Sequence, residues 1–316
     1  MELFRLESLA MALAAITLCA QDRPPLAVIA SGYSSAAPTI TVAPGQLLTL
    51  NIYGLDYRLS QPLRAGRVPL PYELSGLSVT LEQGNTRMRV PLLAISQQRC
   101  PPSPNPCAPQ TSISVQVPFE ARVNSPGTEV SPVQSFLVLS ENGQDRGSAS
   151  IRVVIDNVHI ANTCDSTAIG SVSDGAGCRA VVAHADGTYV SRALPARPGE
   201  TLIVYAFGLG QPDFLVGSGQ ATPSEVTVSV TGAFTIKIES LNSGSDGVPT
   251  PADAIAPSFT GLAPGFVGLY QVNFKVPALA PPSVIPCTES IPYNARISLT
   301  GAASSATEQI CVSPGG

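Results

Sequence analysis

The chain has 316 residues, a net charge of -5, 44% hydrophobic residues and only 12% charged residues, and at about 150 residues per domain it has room for two domains. That balance is too apolar for a disordered chain, offers no basic face for nucleic acid and lacks the Leu/Glu/Lys weight of a coiled coil. Two histidines exclude a multi-histidine metal centre, and Trp is absent.

The first twenty residues read as a secretory signal. Leu9 to Leu18 is apolar apart from Thr17. Such a run suits a signal h-region and is too short to span a bilayer. Cleavage is expected after Ala20. The n-region is atypical, with Arg5 as its only basic side chain between Glu2 and Glu7, and the alternative is a short buried strand or helix. A lipid anchor at Cys19 is disfavoured by Leu18, where a small residue is needed. No later run of about 18 apolar residues occurs, so no membrane span is expected. The expected location is outside the cell or on its surface, with the periplasm as the alternative.

Beyond the signal the pattern is β. TLNIY (49–53), SVTLE (78–82), SISVQV (112–117) and FLVLS (136–140) alternate apolar and polar residues, as half-buried strands do. So do TLIVYAF (201–207), VTVSV (226–230), FTIKIE (234–239), YQVNFKV (270–276) and ARISL (295–299). Pro-Gly, Asn-Gly and Asp-Gly turns punctuate them. No helical period is present after the signal.

The second half repeats the first. TVAPGQLLTLNIYGL (41–55) matches LPARPGETLIVYAFGL (194–209), with Pro44-Gly45 on Pro198-Gly199 and Gly54-Leu55 on Gly208-Leu209. SISVQVP (112–118) follows as QVNFKVP (271–277), FLVLSENG (136–143) as ARISLTG (295–301), and SIRVV (150–154) as EQICV (308–312). This predicts a duplicated unit at about 22–156 and 157–316. About seven strands per unit with Pro-Gly turns predict two tandem Greek-key sandwiches of immunoglobulin type, an all-β fold. The antibody Cys…Trp…Cys hallmark is missing, so the core must rest on Val, Ile, Leu and Phe.

RAVVAHADGTYVSRALPARPGETLIVYAFGLGQ (179–211), ATPSEVTVSV (221–230) and FTGLAPGFVGLYQVNFKVP (259–277) resemble an acidobacterial-type paralogous C-terminal domain. That domain is itself similar to the IPT/TIG immunoglobulin-like group. The resemblance is clearest over 180–312, with a diverged first copy at about 26–156. It implies an exported Ig-like module and brings no catalytic residues with it. Family members commonly append this domain to other repeats or enzymes, whereas here it stands beside its own copy.

Six cysteines remain once Cys19, of the seven, leaves with the signal. An even count in an exported chain points to disulfides, with fifteen pairings open. Clustering favours Cys100 with Cys107, Cys164 with Cys178 and Cys287 with Cys311, each worth about 2.5–3.5 kcal/mol by chain entropy. No CxxC knuckle suggests a metal thiolate.

Three insertions interrupt the repeat: Asp56 to Gly76, Arg99 to Pro109, and Ser240 to Pro257. Specificity often sits on loops held by a rigid scaffold, although tolerated surface insertion is the plainer reading. Asn242, Gly244, Asp246, Gly247 and Asp253 fall at positions 1, 3, 5, 6 and 12 of a calcium loop. Gly at position 3, Asp at position 12 and the lack of flanking helices favour a plain polar turn. Gly208-Leu209-Gly210 imitates a dinucleotide loop, but Pro212 and the segment after it open no helix, so it reads as a turn that needs Gly.

Catalytic chemistry finds little support. His184 lies in a predicted hairpin and His159 near the junction of the halves. Neither sits in a recognisable nucleophile motif, and the acids single out no glycosidase pair. No catalytic residue, cofactor or resident metal is expected. Tyr53, Tyr57, Tyr72, Tyr189, Tyr205 and Tyr270 could stack sugars, or serve as core and rim tyrosines. Phe259, Leu262, Phe266, Leu269 and Tyr270 read as core. The chain is expected to be a non-catalytic exported protein acting in adhesion, scaffolding or surface assembly, its partner a protein or a cell-surface glycan. A glycan-binding module is the alternative, and an unrecognised hydrolase a distant third.

Overall fold

The computed structural model describes residues 30–31, 34–35, 39–53, 55, 59–98, 110–124, 134–165, 178–214, 216–241, 253–277 and 284–314. All regular structure among them is β. The first half holds β1 (Ala30–Ser31), β2 (Ser34–Ser35), β3 (Ile40–Val42), β4 (Leu47–Tyr53), β5 (Leu63–Arg64) and β6 (Glu73–Leu74). It continues with β7 (Leu77–Gln83), β8 (Thr86–Val90), β9 (Leu92–Gln98), β10 (Gln110–Gln116), β11 (Ser135–Glu141) and β12 (Gln144–Val153). The second half holds β13 (His159–Ile160), β14 (Val182–His184), β15 (Thr201–Phe207), β16 (Thr235–Ser240), β17 (Phe259–Leu262), β18 (Tyr270–Lys275), β19 (Ala295–Thr300) and β20 (Ser305–Ile310). VTVSV (226–230) forms no strand. It contributes only bridges at Ser229 and Val230.

Each half is a sandwich of two sheets. In the first, β4-β10-β9-β5 faces β3-β12-β11-β7-β6, with β8 on β7. In the second, β13-β15-β18-β17 faces β16-β19-β20, with β14 on β15. The strand order is the same once equivalents are matched: β4-β10-β9 with β15-β18-β17, and β12-β11-β7 with β20-β19-β16. The segment before each first long strand runs parallel to the last strand, Val42 beside Val153 and Ala196 beside Val312. Three strands in one sheet, and the last strand paired in parallel with an early segment in the other, is the Greek-key order of an immunoglobulin-like sandwich.

Alternation explains why these residues form these sheets. Along β7, Leu77, Val79 and Leu81 turn inward while Ser78, Thr80 and Glu82 face outward, the two-residue period of a half-buried strand. Ile113 and Val115 of β10 meet Leu48, Leu50 and Ile52 of β4 in the first core. Val272 and Phe274 of β18 meet Leu202 and Val204 of β15 in the second. The register repeats too: Ser112 lies opposite Asn51, and Gln271 opposite Tyr205. The last strand is offset by one residue from the sequence match of SIRVV with EQICV. Val153 and Val312 are the equivalents, because each pairs with the segment before the Pro-Gly turn.

The two sandwiches meet in a buried seam. Leu47 and Leu93 of the first half pack with Ala161, Phe207, Ala263 and Leu269 of the second. Phe119, just past β10, joins the second core outright, and burying such a ring contributes roughly 1.5–3 kcal/mol. The connecting segment is tied down along its length. Buried Asp156 accepts from the Ala302 and Ala303 amides (2.8 and 3.0 Å) and from Ser304 Oγ (2.6 Å). The Asn157 amide donates to the Gly208 carbonyl at 2.8 Å.

Candidate functional site

The seam's polar bonds are specific. Tyr270, fully buried on β18, donates to the Gly210 carbonyl (2.6 Å) and lies 3.5 Å from that of Pro44 in the other half. Burial pushes its phenol pKa well above the ordinary range. Gln116 Oε1 accepts from the Gly219 amide at 2.6 Å, and the Phe119 amide donates to Ser218 Oγ at 2.9 Å. The Gln211 side chain also donates to the Phe119 carbonyl. Gly208 and Gly210 show what the Gly-Leu-Gly string is for. Both have positive φ, and a Cβ there would stand 2.1 Å from the Asn157 carbonyl oxygen and 2.2 Å from that of Ile155. The string is a turn against which the linker packs.

At the border of the seam lies a groove of about 380 Å³, at the small end of ligand-sized cavities. Its floor is Leu47, Leu93 and Leu269. One wall is Arg64 to Val68 with Leu70, from the first insertion, and the other is Gly265 to Val267, from the GLAPGFVGLYQVN string. The insertion is held by backbone bonds: Ala65 N to the Leu93 carbonyl at 2.8 Å, Leu92 N to that of Pro71 at 2.8 Å, and Leu70 N across the seam to that of Gly219 at 2.7 Å. The opposite wall is held by the Gly265 amide on the Thr222 carbonyl (2.8 Å) and the Thr222 amide on the Phe266 carbonyl (2.9 Å).

Two kinds of side chain reach solvent here. Val68 is 53% exposed and Phe266 54% exposed, one on each wall. The assignment of Phe266 to the core is therefore corrected. Leu262, Leu269 and Tyr270 are buried and Phe259 partly so, but Phe266 sits at a turn whose neighbours already fill the interior. Among the described residues Arg64 and Arg67 are the only charged ones in the lining, and neither forms an ion pair there. The sequence marked the insertion as a block but not Arg64, Arg67 or Val68, and it placed Phe266 in the core. The only signal for the first three was the Arg, Leu and Pro content of that insertion, and Phe266 lies outside it.

The other expected positions are dispersed. Cys164 is bonded to Cys178 and Cys287 to Cys311, while Cys100 and Cys107 lie outside the described residues. Of the calcium-like loop, Asp253 is described, and Asn242, Gly244, Asp246 and Gly247 lie outside. Among the described residues no group of three His, Cys, Asp or Glu could hold a metal ion. Tyr270 is buried, the Tyr72 ring is covered by the Arg89 guanidinium at 4.4 Å, and Tyr205 is half-buried beside the 59%-exposed Tyr189. The side chain of Tyr53, and Tyr57 altogether, lie outside the described residues. The described tyrosines form no single stacking platform.

His184 faces the Glu200 carboxylate with Nδ1 (3.1 Å) and the Leu194 carbonyl with Nε2 (3.3 Å). Both nitrogens thus meet acceptors, and neither is turned to a serine. Nearby Asp186 has its carboxyl held below the usual range by the hydroxyl and amide of Thr188. His159 Nε2 engages buried Asp165 at 2.8 Å. Close to that pair, burial raises the Glu308 carboxyl above its usual range, and Asn162 donates to it at 3.4 Å.

No family model matches the chain, and no curated protein does. Among solved structures it is similar to FdeC, a broadly conserved Escherichia coli adhesin described as eliciting protection against urinary tract infections. The identity is 12% and the TM-score 0.20, over 93% of this chain and 66% of that one. The strand order of the two sandwiches defines the fold. No described helix is long and apolar enough to cross a membrane.

Proposed function

We propose that this is a non-catalytic exported protein acting in adhesion, scaffolding or surface assembly. Residues 1–20 are its signal, and 22–156 and 157–316 are two copies of one Ig-like unit of the IPT/TIG kind. The observation that carries the reading is the buried seam. Phe119 of one half sits in the core of the other, and Asp156, Asn157 and Tyr270 tie the junction with hydrogen bonds. Two sandwiches joined this way hold their loops at a set spacing, which suits presentation of a contact surface. The groove between Arg64–Leu70 and Gly265–Val267 is the contact site in this reading, and its partner is a protein. Disulfides Cys164–Cys178 and Cys287–Cys311 accord with an oxidising compartment.

The test is retention of the oxidised chain on intact cells, on protease-shaved cells and on isolated cell-wall polysaccharide. Retention lost on shaving is expected. Retention on polysaccharide that Tyr189→Ala abolishes would replace this reading with glycan binding. Any hydrolytic turnover that His184→Ala removes would replace both.

A further inference from the structure

The loop from β15 to β16 carries the chemical complement of the groove. Phe214 is 53% exposed and follows Asp213, and Val226 is 44% exposed and follows Glu225. Asp213 and Glu225 are themselves exposed. Neither acid forms an ion pair among the described residues, and Glu225 accepts only from the adjacent Ser224 hydroxyl at 3.2 Å. The groove offers two unpaired guanidiniums beside exposed Val68 and Phe266. The loop offers two unpaired carboxylates, each beside an exposed apolar side chain. The loop also supports the groove's wall, since Thr222 at its middle is bonded to Gly265 and Phe266.

We propose that the groove is a self-association site. Arg64 and Arg67 of one copy receive Asp213 and Glu225 of a second copy of this chain, with Phe214 and Val226 covering Val68 and Phe266. The contact is electrostatic and apolar at once. Arginine pairs with carboxylate in a fork geometry that specifies orientation, while the apolar neighbours supply area and exclude water around the pairs. A two-fold contact sets each groove against the other copy's loop, a self-complementary patch of the kind closed dimers use. A contact of so few side chains falls below the area of a permanent interface, so the association is reversible and depends on concentration. This deepens the reading of the groove as a protein-contact site and rests on it.

Sedimentation of the oxidised chain over a concentration series up to about 0.5 mM tests the contact, because even a sub-millimolar dimer is populated there. A concentration-dependent dimer is expected. The variants Arg64→Glu/Arg67→Glu and Asp213→Lys/Glu225→Lys should each weaken it at least about tenfold. An equimolar mixture of the two variants should regain it, because every Glu then meets a Lys. All four positions are exposed, so unchanged melting curves verify folding, and Asp213→Asn/Glu225→Gln serves as a milder pair. A chain that stays monomeric throughout, or a mixture that fails to regain association, overturns the self-contact. Cell retention that persists in the same preparation would then leave the broader adhesion reading standing.

Discussion

The same turn occurs twice, and the two copies have opposite fates. Pro44-Gly45-Gln46 and Pro198-Gly199-Glu200 both lead into the first long strand of a sandwich. In each, the third residue caps the turn: Gln46 Oε1 accepts from the Ala43 amide at 2.8 Å, and Glu200 Oε1 from the Arg197 amide at 2.5 Å. Gly45 and Gly199 take the same positive φ, 76° and 81°. A Cβ at Gly45 would meet the Phe119 ring at 2.0 Å, whereas at Gly199 nothing lies within 4 Å. The first turn is buried in the seam and the second is open. The caps differ accordingly. Where water is excluded the acceptor is a neutral amide shared with Asn157 (3.2 Å). Where solvent is available it is a carboxylate facing His184. Local sequence makes the turn, and its surroundings decide which side chains it can carry.

The largest test of this comparison is Gly45→Ala against Gly199→Ala. Both pay for positive φ, about 1–2 kcal/mol. Only Gly45→Ala must also displace Phe119, so it should cost about 3–5 kcal/mol in denaturant unfolding. Equal losses would mean that the seam does not form in solution.

Exchanging the caps comes next. Gln46→Glu places a charge among buried groups and should cost about 3 kcal/mol at neutral pH, shrinking as acid protonates the new carboxyl. Glu200→Gln should stay within about 0.5 kcal/mol. Urea titrations at neutral and acid pH would show both, and a pH-independent Gln46→Glu would break the explanation.

Tyr270→Phe leaves the Gly210 carbonyl short of its donor and should cost about 1–2 kcal/mol. Tyr205→Phe, whose side chain is only partly buried where it packs against the seam cluster, should cost a few tenths at most. Calorimetry that ranks them in reverse would remove the seam role of Tyr270.

The smallest effect belongs to Glu308. Its folded pKa is raised, chiefly by burial, so the charged form opposes folding above that pKa. The opposition is relieved as pH falls through the raised value, and is gone below the ordinary value of 4.5. Glu308→Gln should therefore stabilise by a few tenths of a kcal/mol at pH 7 and by nothing near pH 4. A gain that grows on acidification would contradict this sign.

Much of the fold was legible in the chain. Strand alternation has a period of two and needs only neighbouring residues, so β7, β10, β15 and β18 stand where the pattern puts them. The Pro-Gly turns and the equivalence of β4 with β15 were equally plain. VTVSV shows the opposite case, a strand pattern that meets β17 only through an isolated bridge at Ser229 and the bonds of Val228 and Val230 to Leu262 and Thr260. Of the candidate site only the insertion at 56–76 could be marked. The separate contributions of Arg64, Arg67, Val68 and Phe266 could not, because exposure and the absence of an ion pair are properties of three-dimensional neighbours.

By itself the sequence determined the all-β class, the repeat and its turns, since these follow from side-chain periodicity and from backbone angles that glycine and proline impose locally. Tertiary structure alone decided which Pro-Gly turn is buried, that the last strands match one residue away from the linear alignment, and that Phe266 faces water. Each depends on contacts between residues far apart in the chain, and local preference carries no record of which distant surface will arrive.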